Sequence, residues 1–282
     1  MKYGILVDSS AGILESELVG KAIRSIPLIV IHNRTIEFED TPENFEKYKV
    51  LELIDNNEEI TTSLASPGKL KEVYLEMLQE YDHIIHLTIS EKLSGMIKTA
   101  FLVSKDEDIA GRVSVLEHAT DGNMLKYLTF ALEEKLKNNE LAEVADIQKW
   151  INDWGAKSYL AFVPGDIKRL AKSGRGGGMM VSILAALNTK IAAHWTTTPK
   201  KIGMSRKVDA AVENMLKYGN KLKLIANKKV VFVCSSMLKP IMKSTIVDTL
   251  NKNKIEFTEE KLPTVFACHG GVNMFCLMFI PK

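Results

Sequence analysis

The sequence predicts an α/β protein of two domains, residues 1–155 and 156–282. Three observations carry this. Short apolar runs alternate with helix-spaced segments as far as about Trp154, the pattern of a mostly parallel, Rossmann-like sheet. After Gly155 the alternation restarts with strands closer together and a hairpin, which reads as an α+β layer with one face of its sheet covered. A chain of 282 residues is also long enough for two cores.

In the first half, residues 3–7 form a buried strand ended by Asp8-Ser9-Ser10, and a helix opens near Ile13. Residues 26–31 and 35–38 read as a hairpin around His32-Asn33-Arg34. Residues 41–53 read as a helix with Thr41 as its cap and Pro42 in its first turn. In residues 60–68, ITTSLASPG, Ser66-Pro67 is a helix start, while Thr62 and Ser63 lie in a loop with no such local explanation. A helix over 69–80 follows. Residues 84–89 are a buried strand, and a helix begins near Met96. Residues 112–116 are a strand, and 124–137 and 141–154 are helices.

In the second half, strands fall at 158–163, 191–195, 202–206, 230–234, 254–258 and 274–279. Helices fall at 166–172, 179–187, 208–224 and 240–251. Thr196 to Lys201 is the turn of a hairpin.

Between the strand at 84–89 and its helix sits Leu93-Ser94-Gly95. A strand that ends in a small hydroxyl residue and a glycine and then opens a helix makes an anion site, because the first helical amides have no internal partner. On this pattern alone the simpler reading of Ser94 is an N-cap. Asp8 and Ser9 sit beyond the carboxyl end of the first strand, where open parallel sheets hold ligands, and they read equally as a capped turn.

Net charge is +2, charged residues make up 26% and apolar residues 46%, so nothing points to nucleic acid. The three cysteines read as reduced, buried thiols of a cytoplasmic protein. No apolar run is long enough for a signal peptide or a membrane span. No Walker sequence, GxGxxG or GxSxG occurs, so no cofactor is expected. His83 and His86 face opposite sides of their strand and share no metal. His32, His118 and His194 receive no role, and SGRGGG at 173–178 reads as a connection or a phosphate nest.

The clusters gain weight from their order. DSS at 8–10, TSLASPG at 62–68, LTISEKLSG at 87–95, SGR at 173–175, LN at 187–188 and HGG at 269–271 resemble the DegV family, the bacterial fatty-acid-binding proteins. That family carries a DS-S/T, a TSQPS, an LSSxLSGTYQSA, a GGRI, an LNIKP and an HTGPGALG element in this order. The chain departs from them at Gly12, Leu64-Ala65, Met96, Glu117-His118, Ile191 and Asn273, and so resembles a divergent member.

The resemblance implies a DegV-like fold of two domains with a long-chain fatty acid held between them in an apolar tunnel. It implies a carboxylate held by Thr62, Ser94, the amides near Gly95, and His269. Asp8, Ser9, Ser63, Met96 and Gly270 would stand near the pocket. It implies a carrier with no chemistry of its own, presenting the acid to a fatty acid kinase that docks near Arg175 and Arg206, with room for transient membrane contact.

Physical reasoning agrees with the pattern. A buried carboxylate needs several donors. About fifteen buried methylenes would contribute roughly 12 kcal/mol before association costs. Met96, Met179, Met180, Met274 and Met278 could line such a tunnel or simply fill a core. Two other readings stay open: a carrier of another anionic lipid or isoprenoid, and an acyl-ester hydrolase with Ser94, His269 and Asp8 as nucleophile, base and orienter.

Overall fold

The computed structural model describes residues 1–175 and 189–282. The expected helix at 179–187, the glycines at 176–178, Met179, Met180 and the LN pair at 187–188 lie outside the described residues. The chain divides into two compact units: Met1–Tyr48 with Thr62–Gly155, and Lys49–Thr61 with Ala156–Lys282.

The first unit opens with β1 (Tyr3–Asp8), a single 3-10 turn at Ser9–Ala11 and the short helix α1 (Glu15–Leu18). The helix expected near Ile13 is thus cut into two short turns, with Gly12 in the left-handed region between them at φ 66°. Next come β2 (Ile23–Ile26), β3 (Ile29–His32) and β4 (Ile36–Glu39). Pro27, which lacks an N–H, falls between β2 and β3 and breaks the apolar run at 26–31. Of the two pieces, β2 joins the parallel sheet, and β3 pairs antiparallel with β4 as the expected hairpin.

The helix expected over 41–53 is two helices, α2 (Pro42–Lys47) and α3 (Val50–Asp55), separated by left-handed Lys49 at φ 48°. Thr41 Oγ1 caps α2 by accepting from Asn44 N at 3.3 Å. Residues of α3 pack with the second unit. The chain returns through β5 (Ile60–Ser63), so Thr62 and Ser63 end a strand rather than lying in a loop.

Ser66 caps α4 (Pro67–Met77), accepting from Lys69 N at 3.2 Å. Then follow β6 (His83–Leu87), α5 (Met96–Val103), β7 (Val113–Val115), α6 (Asn123–Lys137) and α7 (Val144–Ala156). The central sheet has the order β2–β1–β6–β7 and every pair is parallel. Ile5, Leu6, Val7, Ile84, Ile85 and Leu87 are fully buried, because a parallel sheet is covered on both faces.

The second unit holds β8 (Tyr159–Val163), α8 (Ile167–Lys172), β9 (Lys190–Trp195), β10 (Pro199–Ser205), α9 (Val208–Lys221), β11 (Lys229–Cys234), α10 (Pro240–Lys252), β12 (Thr258–Lys261), α11 (Thr264–Gly270) and β13 (Phe275–Ile280). Its sheet has the order β10–β9–β8–β13–β11–β12. All pairs are antiparallel except β11–β12. Tyr159, Phe232, Phe275 and Phe279 from the strands and Met215 and Ile246 from α9 and α10 form its core.

The strand expected at 254–258 begins only at Thr258, because left-handed Lys254 ends the turn after α10. Residues 264–270, expected as loop, form α11, so His269 stands in the last turn of a helix. The three cysteines are buried and unpaired with one another. Among the described residues no helix is long and apolar enough to cross a membrane, and no group of histidine, cysteine or acidic residues is placed to hold a metal ion.

Candidate functional site

In the first unit Asp8 and Ser9 stand at the carboxyl end of β1, Ser94, Gly95 and Met96 follow β6, and Thr62 and Ser63 end β5. Ser94 is half-buried, Gly95 is exposed at the start of α5, and Met96 is buried beneath it. The residue that caps α5 is Gly95, which has no side chain to bond with, and the Ser94 hydroxyl accepts from Met96 N at 3.2 Å. A Cβ placed on Gly95 would meet only the Leu64 side chain, at 3.5 Å. The Ser94–Gly95 turn therefore lies against the stretch that follows Thr62 and Ser63. Thr62 is half-buried and Ser63 exposed.

Asp8 is fully buried, and burial raises its pKa against the hydrogen bonds that oppose it. Its carboxylate accepts from the Ser10 hydroxyl and amide, and from Ile89 N at 2.6 Å. These bonds tie the end of β1 to the segment after β6 and engage both of its oxygens. Ser9 is half-buried and accepts from Leu28 N at 3.0 Å. It also bonds the Asp40 carboxyl, which burial pushes up to about 6 despite that bond.

The reading of His83 and His86 as residues on opposite faces holds. His83 Nε2 pairs with the Ser114 hydroxyl at 2.9 Å, and His86 Nδ1 with the Tyr74 hydroxyl at 2.6 Å. His86 is not wholly satisfied: Nε2 is buried without a partner among the described residues, and burial lowers the ring to about 3.

In the second unit His269 is buried near the end of α11. Arg175 Nη1 approaches His269 Nδ1 at 3.3 Å. A guanidinium can only donate, so Nδ1 accepts and the ring proton sits on Nε2. Burial, then the charges of Arg175 and Arg169, lower His269 to about 3, so the ring is neutral at physiological pH. Arg175 is itself half-buried. Arg206 is exposed in the bend between β10 and α9.

The end of α11 is fixed by close backbone contact. Gly165 N and Asp166 N both donate to Gly270 O at 2.8 Å. Gly271, at φ 80°, turns the chain, and Gly270 is buried against Met274. Arg169 donates to Ile54 O and Glu58 O at 3.1 Å and to Cys268 O at 3.5 Å, joining α3 and α11. Arg169 and Asp121 were given no role from the sequence. Asp121 follows β7, the last strand of the parallel sheet in chain order, so the sheet-edge argument used for β1 and β6 reaches it too. Arg169 lies on an ordinary-looking helix and leaves no such signal.

A family model for the DegV family of uncharacterised proteins matches residues 2–282. The chain belongs to the DegV family. A DegV domain-containing protein of Listeria monocytogenes is 24% identical over 303 residues, covering 99% of this chain and 98% of that one. A solved DegV family protein from Thermus thermophilus, described by its fatty acid binding, superposes with a TM-score of 0.83 at 21% identity over 100% of both chains. A stearic acid-binding protein from Eubacterium ventriosum gives a TM-score of 0.84 at 17% identity, covering 99% of this chain and 98% of that one. At these identities the structural likeness establishes the DegV fold.

Proposed function

We propose that this chain binds a long-chain fatty acid and acts as a carrier, presenting the acid to a fatty acid kinase. The carboxylate accepts from the hydroxyls of Thr62 and Ser94 and from the amides that open α5. The Nε2–H of His269 is a further donor, and exposed Arg206 belongs to the docking face. The single observation that carries the reading is the β6–α5 turn. It leads from a buried parallel strand to a half-buried hydroxyl and a glycine-capped helix start, where hydroxyl and amide dipoles come together. Such a turn suits a weakly hydrated carboxylate, which gains from fixed hydroxyl and amide dipoles. Membership of the DegV family, and the fatty acids named for the Thermus and Eubacterium proteins, support the ligand class.

Palmitate titration of the full chain tests this. Ser94→Ala and Thr62→Val are each expected to weaken binding about tenfold, the loss of one hydrogen bond to a charged group, in a protein that stays folded although Ser94→Ala also loses the bond from Met96 N. Unchanged affinity in both would remove the head-group assignment.

A further inference from the structure

Residues 88–90, between β6 and the Ser94 turn, hang from three side chains of the same unit, one at the end of β1 and two in the loop after β7. His118 Nε2 donates to Thr88 O at 2.7 Å. Ile89 N donates to Asp8 Oδ2 at 2.6 Å, and Ser90 N donates to Asp121 Oδ1 at 3.0 Å. Ser90 O in turn accepts from Leu93 N at 2.9 Å and Ser94 N at 3.1 Å. Asp121 is therefore two hydrogen bonds, through Ser90, from the residue that offers the hydroxyl.

Two consecutive peptide groups, 88–89 and 89–90, thus take three separate titratable side chains. Closing a turn requires no such investment, since a serine or asparagine side chain, or water, satisfies a peptide group. Burying acids is costly unless they hold something in place. Asp121 is 3% exposed, and its Oδ2 has no partner among the described residues. Burial, and after it the neighbouring Asp8, raise Asp121 well above the usual carboxylate range against the bond from Ser90 N.

We propose that Asp8, His118 and Asp121 are positioning residues that suspend the β6–α5 turn so that Ser94 meets the carboxylate of an aliphatic acid. Asp121 is the anchor closest to Ser94 through the hydrogen-bond chain. This rests on the head-group reading of Ser94 given above, and it extends that reading to residues that bind no ligand atom themselves.

The test compares palmitic acid with 1-hexadecanol, which has the same tail and no carboxylate. Asp121→Ala is expected to weaken palmitate about tenfold and to leave hexadecanol within about twofold, as the loss of head-group geometry alone requires. Asp121→Asn keeps an acceptor for Ser90 N and should restore palmitate to within about threefold. On a Ser94→Ala background, Asp121→Ala should cost nothing further, because the interaction it serves is already gone.

Equal weakening of acid and alcohol by Asp121→Ala would overturn the proposal, as would no weakening of either or full additivity with Ser94→Ala. Should Asp121→Ala not fold, Asp121→Ser, whose hydroxyl is too short to reach Ser90 N, is put through the same comparison. If Ser94→Ala alone leaves palmitate binding intact, the head-group reading fails. If Ser94→Ala weakens binding and Asp121→Ala does not, only the positioning role fails.

Discussion

In the first unit carboxylates hold amides: Asp8 takes Ile89 N and Asp121 takes Ser90 N. In the second unit a guanidinium holds carbonyls: Arg169 takes Ile54 O, Glu58 O and Cys268 O, while Arg175 sets the tautomer of His269. One framework puts buried acids behind its candidate residues, and the other puts arginines there. An anion near the Ser94 turn gains nothing from the acids that support it, so binding there must come from hydroxyls and helix amides. An anion near His269 would be drawn by arginine charge as well, with the neutral ring adding one directed donor. The units also differ in how tightly their glycine turns are packed, and the following expectations bear on that difference.

The largest effect belongs to Gly165→Ala. A Cβ there would lie 2.4 Å from the carbonyl carbon of Asn273 and the amide nitrogen of Met274, both backbone atoms that cannot step aside. The loss should be about 3 kcal/mol or more, read as a fall in thermal midpoint. A midpoint within a degree of wild type would mean the turn after α11 is not held as tightly as the contact implies.

The middle effect concerns pH. His269 is held neutral down to about 3, first by burial and then by Arg175 and Arg169. In the unfolded chain a histidine titrates near 6.5. Between those values the unfolded chain takes up a proton that the fold refuses, so this residue's contribution to stability falls as pH drops from about 6.5 toward 3. The wild-type free energy of unfolding should therefore fall further than that of His269→Gln between pH 7 and 4.5, by on the order of 2 kcal/mol. Equal declines would show that His269 takes up its proton as freely in the fold as in the unfolded chain.

The smallest effect is expected for Gly95→Ala. Gly95 has φ −75°, and its added Cβ would only touch Leu64 at an ordinary distance. Stability should change by less than about 0.5 kcal/mol. A fall comparable to that of Gly165→Ala would erase the contrast between an open turn in one unit and a packed one in the other.

The sequence makes the strands of both sheets legible where they are uninterrupted apolar runs, as at Ile84–Ile85 and Val230–Val233. It makes helix starts legible where a hydroxyl precedes proline, as at Thr41-Pro42 and Ser66-Pro67. It fails where the deciding conformation is a left-handed residue without glycine. Lys49 and Lys254 carry no side-chain signal for φ near 50°, yet one splits a helix and the other delays a strand. It fails again at α11, whose small apolar residues Val265, Ala267 and Cys268 read as strand or loop, because a seven-residue helix is too short to show its period. Ser94 and Gly95 could be singled out because a hydroxyl and a glycine stand together immediately before a helix, in the loop that follows a strand. Asp121 and His118 act on residues about thirty positions away, and nothing local marks which peptide group a distant side chain will hold.

The excursion of residues 49–61 from one unit to the other means the polypeptide crosses between them three times, not once. A cut after Gly155 would leave Val50, Leu51 and Ile54 stranded on a fragment without the partners that bury them. The later half of the chain owes part of its interior to a borrowed stretch of the earlier half, so severing the backbone at the obvious seam would not yield two self-sufficient pieces.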